Sequence, residues 1–240
     1  MGYDVAFGYD VALVDAVRSA LTEAADPDRA AGQQAYMKSA MPFHGITTPD
    51  LRRILVPVLR QHAPDDRLVW EATVRELWDG ATHREQRYAA LALAQHRSAR
   101  AWQDPSVLTL HRHLVVTGAW WDLVDQIATR LVGPVLLRHR RSVTPVIEAW
   151  AGADDLWLRR TAILSQLGHR EETDTALLER CIAANLTDSD FGDRFFVRKA
   201  IGWALRQHAR TDPAWVVNLL ERYADRLSPL SRREALKHLG

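Results

Sequence analysis

The sequence predicts an all-α fold, a curved right-handed α-solenoid of stacked helical pairs. Three observations carry this. A short polar residue followed by proline, the N-cap and N1 pair of a helix start, recurs along the chain. It stands at Asp26-Pro27, Thr48-Pro49, Asp104-Pro105, Thr144-Pro145, Asp212-Pro213 and Ser228-Pro229. Between these starts apolar residues return at three–four spacing, as in Leu51, Ile54, Leu55, Val58 and Leu59, and again in Ile163, Leu164 and Leu167. No stretch of useful length alternates with the period of two that a half-buried strand requires.

The elements follow in order. Residues 1–10 contain Gly and Tyr without a period and read as a loosely ordered terminus. Residues 11–240 read as one HEAT-like repeat domain, because helical pairs of that kind recur about every 40 residues. Helices are expected near 11–25, then 28–40 behind Asp26-Pro27, and 49–62 behind Thr48-Pro49, with Pro57 inside the last. Next come 66–79 and 84–97, the latter opened by a Thr82…Glu85 capping box. Asp104-Pro105 opens 105–117, and 119–131 and 133–140 follow. Thr144-Pro145 opens 144–151, and the apolar stripe of Ile163 lies in 155–168. Helices at 171–185 and 194–209 flank the clearest internal loop, 186–193. Asp212-Pro213 opens 213–225, and Ser228-Pro229 with a Ser231…Glu234 capping box opens 230–239.

Composition sets the limits. The chain has 240 residues, 47% hydrophobic and 25% charged, enough for an ample core. One cysteine, Cys181, excludes an internal disulfide and fits a reducing compartment. No apolar run reaches the ~18 residues of a membrane span and no signal peptide opens the chain, so a cytoplasmic protein is expected. The net charge is +1, yet 28 of 31 basic residues are Arg. Arg is favoured for bidentate recognition of phosphate and carboxylate, and genomic base composition also drives Lys to Arg; what matters for a partner is how the charges sort by face.

Chemistry is concentrated in a few stretches. In Gly118-Ala119-Trp120-Trp121-Asp122-Leu123-Val124-Asp125, Trp121 and Asp125 are four apart and share a helix face, while Trp120, Leu123 and Val124 turn inward. A flat aromatic beside a carboxylate suits a sugar or base with positive charge nearby; a buried Trp over a solvated Asp has the same pattern. In Tyr36-Met37-Lys38-Ser39-Ala40-Met41-Pro42-Phe43-His44-Gly45-Ile46-Thr47-Thr48-Pro49, a turn leads into a capped helix carrying Arg52 and Arg53. Either it seats a phosphate or it is a well-capped helix with a solvated Arg pair. His44 reads as structural. Arg160 opens an otherwise apolar helix in Leu156–Gln166 and needs an anion, carboxylate or phosphate, unless its stem only packs along the surface. In Phe195–Arg206, mid-helical Gly202 costs about 1 kcal/mol against Ala and lets a backbone or ligand approach beside Trp203. Leu227–Lys237 is a basic, capped helix start. No Walker loop, dinucleotide fingerprint, His/Cys zinc spacing or Gly-x-Ser-x-Gly occurs, so neither a metal nor a nucleotide cofactor is expected.

Five motifs in register resemble the DNA alkylation repair glycosylases of the AlkD type: Tyr-Met…Pro-Phe-x-Gly-Ile-x-Thr-Pro, Trp-Trp-Asp-x-Val-Asp, Arg-x-Ala-Ile-Leu-x-Gln, Ala-Ile-Gly-Trp-x-Leu-Arg and Leu-Ser-Pro-Leu-Ser-x-Arg-Glu-Ala. The resemblance runs from about residue 28 to the end. It implies a C-shaped HEAT-like solenoid whose concave face binds duplex DNA, and base excision of cationic N3- and N7-alkylpurines without flipping the lesion into a pocket. It implies Trp121 and Trp203 flanking the lesion's deoxyribose, Asp125 at the anomeric carbon and Arg160 on DNA beside it. Tyr36, Thr47, Thr48 and Arg52 match DNA-contacting positions. Nothing in the sequence requires a cofactor or more than a monomer, and association with the nucleoid is expected when the protein is bound to DNA. The loop at 186–193 is longer than is typical of the family, and residues 1–10 have no counterpart.

The chemistry is consistent with that set. An alkylated purine is already a cationic leaving group, so one carboxylate can stabilise the oxocarbenium-like sugar and place a water. Aromatic faces add about 0.5–2 kcal/mol each by cation–π attraction. A binding-only relative predicts loss of the Trp or Asp positions, and all are present. A protein-interaction scaffold predicts an apolar groove in place of an Arg-lined one.

Overall fold

The structure, a computed structural model, describes residues 8–238. Every regular element among the described residues is helical, and the chain divides into two compact units, Met1–Gln103 and Asp104–Gly240. The first unit holds α1 (Val11–Glu23), α2 (Pro27–Met37), α3 (Thr48–His62), α4 (Arg67–Asp79) and α5 (Arg84–Ala94), closed by a 3-10 segment at Arg97–Trp102. The second opens with a 3-10 turn at Pro105–Val107. It continues through α6 (Leu108–Gly118), α7 (Trp121–Gln126), a π-helical stretch at Ile127–Val132, α8 (Gly133–Arg138), α9 (Arg140–Ala151) and α10 (Leu156–Leu164). It ends with α11 (Thr175–Ala183), α12 (Phe195–His208), α13 (Pro213–Arg222), α14 (Pro229–Ala235) and a 3-10 turn at Leu236–His238. No described helix is long and apolar enough to cross a membrane.

Caps explain most of the starts. Asp10, Asp26, Asp66, Asp155, Asp174, Asp212 and Ser228 each accept a backbone N–H of the first turn. Residues 1–7 of the expected loose terminus, and Leu239 and Gly240 beyond the last turn, lie outside the described residues. Asp10 itself is buried, and its N–H donates to Thr73 Oγ1 at 2.9 Å.

Four expected starts are corrected. The cap of α3 is Thr47, with Pro49 second in the helix. Thr144-Pro145 is not a start: α9 begins at Arg140 and runs through Pro145. The Thr82…Glu85 box does not form; Thr82 pairs reciprocally with Gln86, its N–H donating to Oε1 at 3.0 Å and its Oγ1 accepting from Nε2 at 3.1 Å. Glu85 is drawn away because three backbone N–H groups of the Pro-Phe-His-Gly turn, those of His44, Gly45 and Ile46, need an acceptor, and its buried carboxylate takes all three at 2.9–3.2 Å. The Ser231…Glu234 box is absent as well. Ser228 caps α14, and Ser231 Oγ donates to the Arg198 carbonyl.

The first unit's core joins Leu13, Val17 and Leu21 of α1 to Trp70, Val74, Leu77 and Trp78 of α4 and Ala89 and Leu93 of α5, all fully buried. Each large side chain there contributes about 1.5–3 kcal/mol. In the second unit α7, the π-stretch and α8 form one continuous helical run. Pro134 lacks the N–H that an α-turn would require and its ring would crowd the Arg130 carbonyl. Widening the turn relieves that, and the Gly133 N–H reaches back to the Ala128 carbonyl. Leu123, Val124, Ile127, Ala128 and Val132 pin this run to the core. The expected 186–193 loop is present between α11 and α12. It is fastened by the Asp188 carboxylate on Arg226, with contacts of 3.0 and 3.1 Å.

Candidate active site

The turn before α7 sets the centre. Ala119 ends α6 at φ 40°, the left-handed region that costs a non-glycine residue roughly 1–2 kcal/mol. Trp120 is then extended, and α7 starts at Trp121. Trp121 and Asp125 both lie half-buried on α7, one turn apart, and Leu123 and Val124 face the core as the spacing requires. Trp120 enters an aromatic cluster: its ring centroid is 6.1 Å from Trp157 and 5.5 Å from Phe196, and those two rings are 5.0 Å apart.

Asp125 meets Arg160 of α10. Nε donates to Oδ1 at 2.7 Å and Nη2 to Oδ2 at 2.8 Å, a bidentate pair. The third guanidinium nitrogen, Nη1, donates to the Phe196 carbonyl at 2.5 Å, and the guanidinium carbon lies 5.8 Å from the Phe196 ring centroid. The arginine side chain is 5% exposed and the aspartate 16%. The anion that Arg160 needs is thus a carboxylate, and its head is inside rather than in water. Burial raises the Asp125 pKa above its ordinary value, the hydrogen bonds and charge of Arg160 oppose that, and neighbouring Asp122 adds to the rise. Removing one member of such a pair strands the other, at about 3–5 kcal/mol.

Adjacent Arg159 is also buried but has a different task. Its Nε donates to the Ala153 carbonyl at 2.6 Å, Nη1 to the Ala184 carbonyl at 3.2 Å and Nη2 to the Gly152 carbonyl at 3.3 Å. These carbonyls close α9 and α11, where a cation is favoured by the helix dipoles. Neighbouring positions on a helix point about 100° apart, so one arginine ties helix ends and the other holds Asp125.

The remaining expected residues are placed as follows. Trp203 is half-buried on α12, in the same unit as Asp125, Trp121 and Arg160. Tyr36, Thr47, Thr48 and Arg52 belong to the first unit. Tyr36 is 78% exposed at the end of α2, and Arg52 is exposed on α3. Thr47 caps α3 and its hydroxyl donates to Asp50 Oδ2 at 2.7 Å, while Arg53 pairs with Asp50. Sequence reasoning missed Trp157 and the Phe196 carbonyl as partners of the centre. Trp157, three residues before Arg160 and on the same face of α10, was the available signal.

The family model described as DNA alkylation repair enzyme matches residues 17–239. A solved structure from Enterococcus faecalis, described as a predicted DNA alkylation repair enzyme, is 31% identical with a TM-score of 0.80, over 90% of this chain and 97% of that one. No curated protein matches the chain. The chain belongs to the DNA alkylation repair enzyme family.

Proposed function

We propose that the protein is a DNA glycosylase of base excision repair that hydrolyses the N-glycosidic bond of cationic N3- and N7-alkylated purines in duplex DNA. The carrying observation is Asp125: a carboxylate one helical turn from Trp121, oriented through both oxygens by Arg160. The alkylated base leaves as a neutral purine and needs no strong general acid. Asp125 stabilises the positive charge that develops on the sugar and orients the attacking water. Trp121 and Trp203 present ring faces to the same charge, and the lesion is not drawn into a deep pocket. Arg160 holds the carboxylate with two of its five N–H groups and the Phe196 carbonyl with a third, which leaves two for a phosphate beside the lesion. Tyr36, Thr47, Thr48 and Arg52 contact the duplex.

The family match spans residues of both compact units, which supports reading 11–240 as one domain of HEAT-like repeats in a right-handed solenoid. No cofactor takes part, the monomer suffices, and the place of action is the nucleoid. The test is release of free base from duplex DNA carrying N7-methylguanine or N3-methyladenine. Release at a rate well above spontaneous loss is expected. Binding without release would turn the reading toward a non-catalytic DNA-binding relative.

A further inference from the structure

On α12, Lys199, Trp203 and Arg206 stand four and three residues apart, so they share one face within about 60° around the axis. Gly202 flanks that face. A Cβ there would come within 2.5 Å of the Glu234 Cβ and 2.9 Å of the Ser231 carbonyl oxygen, so the missing side chain is what lets α14 lie against α12. The close approach delivers Glu234. Its carboxylate is 7% exposed and meets three cations: Lys199 Nζ at 3.1 Å, Arg206 Nη1 at 2.8 Å and Lys237 Nζ at 2.7 Å. Those cations keep between 27% and 49% of their side chains in solvent.

One carboxylate does not balance three cations. With Arg198, Arg232 and Arg233, the helices α12 and α14 and the closing turn hold six cations and a single acid, a surplus of five in a chain whose whole net charge is +1. Stabilising a fold needs one cation per carboxylate; three held together repel one another unless an anion supplies the rest. Three of these cations, Lys199, Arg206 and Lys237, stand together on Glu234, and Lys199 and Arg206 share the face of α12 that carries Trp203. A polyanion with regularly spaced charges fits such a surface.

We propose that Glu234 is a positioning residue that gathers Lys199, Arg206 and Lys237 into a grip for the sugar–phosphate backbone of duplex DNA, on the strand whose nucleotide Trp203 faces. The strand assignment rests on the proposed role of Trp203; the grip itself requires only DNA. Each lysine has three donors and Arg206 has five, so phosphate oxygens can be bound while every cation stays on Glu234. The carboxylate sets where the cations stand, and the phosphates complete their neutralisation.

Binding of undamaged duplex DNA, followed by fluorescence anisotropy between 50 and 200 mM salt (roughly the range over which phosphate contacts are resolved), tests this without any bond to cleave. Loss of base release would therefore leave the measurement intact, and the two readings fail separately. A Lys199→Met/Lys237→Met double variant should lower the slope of log affinity against log salt by about two. Glu234→Gln raises the net positive charge, so charge alone predicts tighter binding. Positioning predicts binding weakened about three- to tenfold. An unchanged slope in the double variant, or tighter binding by Glu234→Gln, would overturn the proposal. The two methionines sit at partly exposed positions, so the double variant gives a folded readout even if Glu234→Gln unfolds, and thermal melts accompany both.

Discussion

Asp125 is pulled in two directions, and the balance has a measurable sign. Burial and Asp122 favour the protonated form, Arg160 favours the anion, and the result is a pKa above the ordinary carboxylate value. If the anion is the working form, base release should fall on the acid side with a midpoint above the usual aspartate pKa of about 3.9. Arg160→Met removes what opposes burial, so the midpoint should move to still higher pH. A pH–rate profile of the two proteins reads this directly, and an unmoved midpoint would mean that another group titrates. The need for an anion at Arg160 was legible in the sequence, because a cation on an apolar stripe must be paired. Which anion was not, since 35 residues separate it from Asp125 and only the folded α7 and α10 bring them together. Phe196 was less legible still, because its contribution to Arg160 is a backbone carbonyl, which any residue type could supply.

Helix packing makes its own prediction at Gly202. The Cβ of alanine would meet Glu234 and the Ser231 backbone at distances that no side chain tolerates. Gly202→Ala should therefore destabilise the second unit by about 1–3 kcal/mol, against the usual gain of alanine in a helix. Chemical denaturation checks it; a neutral or stabilising effect would contradict the packing described. The sequence marked Gly202 as a close approach but left open whether backbone or ligand comes near, and the answer is the backbone of α14. Helix starts were legible where a cap and a proline act locally, as at Asp26-Pro27, Asp212-Pro213 and Ser228-Pro229. Thr144-Pro145 misled because the same pair is tolerated inside α9, a context set by packing. The Thr82…Glu85 box failed because a turn 40 residues away competes for the same carboxylate. The π-stretch at Ile127–Val132 leaves its trace only in Gly133-Pro134, whose meaning depends on the helix continuing past it.

At the scale of the molecule, stability should depend on pH through His111. It is fully buried, neither ring nitrogen has a hydrogen-bond partner, and burial lowers its pKa to about 3. The unfolded chain binds a proton there below about 6.5, whereas the folded chain does not until about 3. Stability from this residue is therefore lost progressively as pH falls below 6.5, by up to about 1.4 kcal/mol per pH unit. Thermal melts of wild type and His111→Leu between pH 7 and 5 (roughly the span that brackets the upper limit) should diverge, with the variant the flatter of the two. The all-helical class was legible from periodicity and caps, and the family from five motifs in register, because both are written in local sequence. The distribution of charge was not: a net charge of +1 conceals the surplus on α12 and α14. The central claim, that Asp125 performs glycosidic hydrolysis, is tested most directly by base release from duplex DNA containing one N7-methylguanine, with wild type beside Asp125→Asn and binding of the same duplex followed in parallel. The account predicts release by wild type, slowing of at least about 100-fold in the variant, and binding retained by both. Release by Asp125→Asn at the wild-type rate, or binding by wild type without release, would contradict it.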